Sequence, residues 1–215
     1  MVLIFLFIFL FGYSCFNING YTKLQDITTE RRICDYEYIC DDYYLGFYAG
    51  KREDPYILDG KCNPLTDYGI IKFVCLKNFF VPDMVAIVID DCDYSVTLMQ
   101  NPFDNSFMAD IGKSVKGDSV TVIITINERS TECVLNEVTE NYNIKINDAV
   151  KIFYNNYKSQ IDSYFKRGIG EFHVSMIYNV NFDKNLKLWY MEFIADKSNL
   201  VLCVNVNTGE LTFGI

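Results

Sequence analysis

Between Ile70 and Ile126 the chain repeats one pattern: a short run of β-branched or aromatic residues, bounded by Gly, Pro, Asn or Asp. The runs are IIKFVCL (70–76), MVAIVID (84–90), YSVTLM (94–99) and VTVIITI (120–126). Branched and aromatic side chains pack well on a pleated surface, and the bounding residues break each run before it reaches helical length. Asn101-Pro102 and Lys116-Gly117-Asp118 read as turns between runs. Continuous apolar stretches such as MVAIVI predict strands covered on both faces, as at the centre of a sandwich. Upstream, CDYEYICDDYYLGFYAG (34–50) has the same β-propensity, punctuated by Gly46 and Gly50, and the lead-in from Tyr21 to Arg32 is polar.

The last third changes character near residue 145. In DAVKIFYNNYKSQIDSYF (148–165), Val150, Phe153, Tyr154, Tyr157, Ile161, Tyr164 and Phe165 follow the 3.6-residue period of a helix. Asn147 or Asp148 suits the N-cap, and Gly168 and Gly170 end the helix. EFHVSMIYNV (171–180) then alternates, with Phe172, Val174, Met176, Tyr178 and Val180 on one face and Glu171, His173, Ser175 and Asn179 on the other. LKLWYMEFI and NLVLCVNV follow, with Asn207-Thr208-Gly209 turning into LTFGI. The expected fold class is mainly β: an antiparallel β-sandwich with one C-terminal α-helix packed on it. Residues 21–215 are expected to form a single secreted domain, with a candidate sub-boundary near 145.

Residues 1–12, MVLIFLFIFLFG, form an unbroken apolar run, and the first charge is Lys23. The run is shorter than the roughly 20 residues a membrane-spanning helix needs, and it fits the apolar region of a secretory signal. Gly12 and Ser14 allow a cut before Cys15 (signal 1–14), whereas Gly20 allows one before Tyr21 (signal 1–20). The first leaves eight cysteines; the second leaves seven: Cys34, Cys40, Cys62, Cys75, Cys92, Cys133 and Cys203. Secretion makes structural disulfides chemically reasonable, and the irregular spacing leaves their pairing open. With no Cys-x-x-Cys, zinc and thioredoxin-type redox sites are not expected. No Asn-x-Ser/Thr glycosylation site occurs in the chain.

Composition narrows the function. Half of the 215 residues are hydrophobic, with 16 Tyr and 17 Phe, enough apolar area for a real core. The net charge of −9 argues against nucleic acid and anionic membranes, which select Lys and Arg. A charged partner would be basic. His173 is the only histidine, and no neighbouring spacing supplies it with a nucleophile or acid, so it reads as a surface residue. Gly168-Ile169-Gly170 ends a helix instead of opening one, so it is no nucleotide fingerprint. Asp90-Asp91-Cys92-Asp93 lacks the alternating ligands and distal Glu of a calcium loop, and reads as an acidic turn. No catalytic motif is present: the chain is not expected to be an enzyme, and no cofactor or metal is expected. The most suggestive surface is segment 35–48, where Tyr36, Glu37, Tyr38, Asp41, Asp42, Tyr43 and Tyr44 combine amphipathic contact area with carboxylates that steer a basic ligand. The competing reading is a strand whose alternate tyrosines pack inward.

Between Cys34 and Arg129 the chain resembles the secreted poxvirus immune-evasion family of β-sandwich proteins. The likeness lies in Ile33-Cys34 with Asp35-Tyr36-x-Tyr38, then Ile57-Leu58-x-Gly60-x-Cys62. It continues in Phe107-Met108-Ala109 with Gly112, Val115 and Gly117-Asp118, and in the strand Val120 to Ile126 with Glu128-Arg129. The branch that binds costimulatory ligands is nearer than the chemokine-binding one. The resemblance implies a secreted decoy that sequesters a host chemokine, cytokine or costimulatory ligand. From the other end, a helix followed by strands closing on Trp189 and Asn207-Thr208-Gly209-Glu210 is similar to cystatin-like and PepSY-type modules, which implies a protease inhibitor or pro-domain.

Overall fold

The structure is a computed structural model that describes residues 20–55, 57, 62–77, 85–89, 94–102, 106–168, 170–178, 186–195 and 198–213. The signal segment 1–14, Cys15, the acidic turn Asp90–Asp93 with Cys92, and Val180 lie outside the described residues.

The chain is mainly β, with a large, predominantly antiparallel sheet system and, among the described residues, two α-helices. A short helix α1 (Gly20–Asp26) leads into β1 (Thr28–Ile39), β2 (Tyr43–Glu53), β3 (Leu65–Cys75), β4 (Val85–Ile89), β5 (Tyr94–Thr97), β6 (Met99–Gln100), β7 (Phe107–Asp110), β8 (Ser119–Ile126) and β9 (Arg129–Glu137). After a single 3-10 turn at Thr139–Asn141 come helix α2 (Ile146–Phe165) and strands β10 (Glu171–Tyr178), β11 (Lys187–Ala195), β12 (Ser198–Asn205) and β13 (Leu211–Phe213).

Strand β1 organises everything else. One of its edges pairs with β2 along most of its length, from Glu30↔Arg52 to Ile39↔Tyr44. The other edge is divided. Its first half pairs with β10, at Thr28↔Phe172 and Arg31↔Val174, and its second half pairs with β9, at Tyr36↔Glu137 and Glu37↔Asn136. The β1/β10 pair is parallel, the one exception among the described pairings to the antiparallel expectation. From this split one path runs β10-β11-β12-β13, while β9 leads through β8 and β4 to β5.

Two cores result. In the first, Tyr36, Leu45, Phe47, Ile71, Phe73 and Phe107 from β1-β2-β3-β7 face Ile87, Ile89, Val120, Val122, Ile124, Cys133 and Leu135 from β4-β8-β9. This is the sandwich. In the second, α1 and α2 cover β10-β11-β12: Leu24, Val150, Phe153, Tyr154 and Ile161 pack on Phe172, Val174, Trp189, Met191, Phe193, Leu202 and Val204. The helical period between Val150 and Phe165 is thus realised, and each fully buried large side chain contributes about 1.5–3 kcal/mol of transfer free energy. The helix is interrupted at Tyr157 (φ −113°, ψ 16°), whose hydroxyl donates to the Val201 carbonyl at 2.8 Å.

Several expectations need correction. Helix α2 starts at Ile146 with Lys145 as N-cap and no side-chain cap bond. Asn147 instead accepts a hydrogen bond from Arg31, and Asp148 pairs with Lys151. The run MVAIVI is not covered on both faces: Ile87 and Ile89 are buried but Val88 between them is 38% exposed. Glu171, expected on the polar face, is buried. Gly46 and Gly50 do not punctuate. Both lie inside β2, where a Cβ at Gly46 would meet the Tyr44 ring and one at Gly50 would meet the Arg31 carbonyl. The polar lead-in to Arg32 is the helix α1 and the first half of the central strand.

Candidate functional site

Strands β1 and β2 form a hairpin whose tip is Asp41-Asp42. The Cys40 amide donates to the Tyr43 carbonyl at 3.0 Å, closing the turn, and the Leu76 amide donates to the Asp42 carbonyl at 2.9 Å, tying the tip to the end of β3. Both aspartates are exposed. Asp42 forms an ion pair with Lys77, and that contact holds the lysine above its usual range. Asp41 lies close enough for its charge to add to that hold on Lys77, so the tip carries two carboxylates around one lysine.

The pleat separates the tyrosines. Tyr36 points into the sandwich core, where its hydroxyl donates to the Gly117 carbonyl at 3.0 Å. Tyr43 lies half-buried on the same side, its ring 5.4 Å from Phe73 and 6.0 Å from Tyr38, with its hydroxyl 3.3 Å from the Cys133 sulfur. Burial pushes the Tyr36 and Tyr43 phenols well above their ordinary value, so both stay protonated. Tyr44 turns to the opposite face, buried against Val74, with its hydroxyl donating to Glu37 at 3.3 Å across the space left by Gly46.

Beneath the hairpin lies a buried charge cluster. Lys187 donates to Glu37 at 2.7 Å, and both side chains are largely covered. Arg32 donates to Asp35 at 3.2 Å and stacks on Tyr48, its guanidinium carbon 3.9 Å from the ring centre. The Tyr142 hydroxyl reaches Asp35 at 3.5 Å, and the Thr139 hydroxyl accepts from the Asp35 amide at 2.9 Å. Burial raises the Asp35 carboxyl above its usual range, with Arg32 opposing the rise. These contacts join β1 to β11 and to the Thr139–Tyr142 turn.

The seven residues singled out by sequence therefore divide. Asp41 and Asp42 face solvent, Tyr38 and Tyr43 flank the tip half-buried, Glu37 is held by Lys187, and Tyr36 and Tyr44 are interior. Ile39, 47% exposed between Tyr38 and the tip, joins the outward surface. Sequence reasoning missed Lys187 and Tyr142, because partners 150 and 107 positions apart carry no local spacing signal; Arg32, three residues from Asp35, closes what the sequence presents as a polar lead-in.

His173 sits half-buried on β10, flanked across the strands by Glu30 and Glu192, with the Thr29 hydroxyl 3.3 Å from its ring nitrogens. Thr29 is itself buried, so its oxygen is not presented to a substrate. Among the described residues no three His, Cys, Asp or Glu side chains are grouped to hold a metal. Within the same residues no helix is long and apolar enough to cross a membrane. Of the cysteines, Cys34, Cys40, Cys62, Cys75, Cys133 and Cys203 are unpaired thiols in this structure. No protein-family model matches the chain, and no curated protein or solved structure is significantly similar to it.

Proposed function

We propose that this chain is a secreted viral immunomodulator that works by binding: it sequesters a basic host signalling protein, a chemokine, cytokine or costimulatory ligand. The observation that carries the reading is the β1/β2 tip, where Asp41 and Asp42 stand exposed beside Ile39 and the half-buried Tyr38 and Tyr43. Apolar and aromatic surface next to exposed carboxylates suits a basic protein surface, with the rings supplying contact area and the charges steering encounter. The buried Glu37–Lys187 and Arg32–Asp35 contacts hold the strand beneath the tip, so little ordering is needed on binding. The apolar run at residues 1–12 supports export.

The test is binding of the purified full chain to an immobilised panel of host chemokines, cytokines and costimulatory ligands, with Asp41→Asn/Asp42→Asn beside the wild type. Capture of one ligand class that weakens in the variant supports the reading. A folded sample that binds nothing on the panel defeats it. A second reading is favoured by α2 lying along β10-β11-β12, the arrangement of a cystatin-like or PepSY-type module. It predicts inhibition of a cysteine protease or metalloprotease, which the same sample tests directly.

A further inference from the structure

Cys40, the residue just after β1, and Cys133 on β9 both lie against Tyr43. The antiparallel β1/β9 register ends at Glu37↔Asn136; continued three residues onward past the end of β1 and three back on β9, it would set Cys40 opposite Cys133. Directly opposed residues of an antiparallel pair point to the same side of the sheet. That side is the sandwich core for both strands: Tyr36 and Tyr38 on β1 and Cys133 and Leu135 on β9 all pack there, and carrying the alternation of β1 one residue past its end would turn Cys40 to the same side.

The strands are hydrogen-bonded at Tyr36↔Glu137 and Glu37↔Asn136 and open beyond these pairs, where Tyr43 reaches across. Its carbonyl accepts from the Cys40 thiol at 3.5 Å, and its hydroxyl lies 3.3 Å from the Cys133 sulfur. One residue thus touches both thiols. Burial raises the Cys133 thiol, the hydrogen bond to Tyr43 opposes that rise, and Cys40 is near enough for its charge to add to it.

The other described cysteines offer Cys40 no such partner. Cys75 stands opposite Tyr43 on β3, one strand further away, and two strand spacings come to about 9–10 Å, beyond the roughly 7 Å limit between bridged Cα atoms. Cys34 is six residues back along the same strand, about 20 Å at 3.3 Å per residue. Cys62 donates to the Thr28 carbonyl, at the far end of β1. Cys203 lies on β12 in register with Tyr190.

From this register we infer that Cys40 and Cys133 are joined by a disulfide that staples β1 to β9 at the open end of the sandwich. In the reaction the half-buried Cys40 thiolate attacks a small-molecule disulfide and expels one thiolate. The Cys133 thiolate then attacks the Cys40 sulfur, releasing the second. The protein loses two protons and two electrons, and the oxidant becomes two thiols. The Tyr43 hydroxyl stabilises the Cys133 thiolate and moves aside as the strand ends close. The bridge forms whatever the chain binds, given a small-molecule disulfide as oxidant.

The folded wild-type chain is incubated with glutathione disulfide, alkylated, and digested without reduction by trypsin and a glutamate-specific protease. Cleavage after Glu37 separates Cys34 from Cys40. The expected product is a peptide pair holding Cys40 and Cys133, lighter than its separate parts by two hydrogens and split by reduction. Alkylation of Cys133 in the oxidised, folded sample overturns the assignment, as does its linkage to any other cysteine, Cys92 included.

Discussion

Lys187 and Glu37 are 150 residues apart and meet at 2.7 Å with little access to water. A carboxylate held this way depends on its partner, because removing one member of a buried pair leaves the other's desolvation uncompensated. Lys187→Met is expected to lower stability by about 3 kcal/mol in denaturant unfolding, the low end for breaking such a pair. Adding Glu37→Gln should recover most of that loss. Asp35 makes a pH-dependent prediction. Burial raises its folded-state pKa above the unfolded value, so the folded state holds its proton more tightly. Its contribution to stability is therefore fully present below the unfolded pKa and is lost as pH rises through the folded one. Asp35→Asn removes this dependence, so the stability gap between wild type and variant should narrow from mildly acid to neutral pH. A gap that widens over that interval contradicts the assignment.

At the scale of elements, β2 and α2 show why residue type and position must be read together. Gly46 and Gly50 look like breaks, yet each clears room for a neighbour inside a continuous strand. The neighbours differ: at Gly46 it is the Tyr44 ring, which can swing on its torsions, and at Gly50 it is the Arg31 backbone, which cannot. Gly50→Ala is expected to destabilise more than Gly46→Ala in parallel thermal melts. On α2, Phe153 is fully buried with its ring 5.0 Å from that of Phe172. Phe153→Ala should cost about 3–5 kcal/mol, read as a fall in denaturant midpoint. Helix α2 was legible because its apolar residues keep one period from Val150 to Phe165, about four turns, and β10 to β12 because they alternate. Strand β9 escaped notice since only Cys133 and Leu135 of RSTECVLNE are buried. The first half of β1 did too, because Glu30 and Arg31 find their partners in Tyr68 and Asn147, far along the chain.

Over the whole molecule, β1 is shared property. Its edge completes the pairing of β10, while Leu24 and Tyr142 fill the core under α2. A fragment spanning 145–215 lacks all three, so it should show no cooperative unfolding transition by circular dichroism, whereas the 20–215 chain should. The net charge of −9 bears on function at this scale. Exposed charges act over a Debye length of about 8–10 Å at physiological salt, so association with a basic ligand should slow as salt rises while dissociation changes little. What the amino-acid order determined by itself was local. The β-rich class, the single long helix, the strands that follow it and the acidic, tyrosine-rich segment 34–50 all rest on periodicity and on residues adjacent in the chain. What only the tertiary structure decided was which face of each strand meets which layer. It turned Tyr36 and Tyr44 inward, enclosed Glu37 with Lys187, left Asp41 and Asp42 at the tip, and set Cys40 and Cys133 against the same tyrosine, Tyr43. The hairpin turn closed by Cys40 and Tyr43 is local, but the enclosure of Glu37 and the inward packing of Tyr36 depend on segments far apart in sequence, where burial and charge compensation are settled by neighbours that no local pattern records.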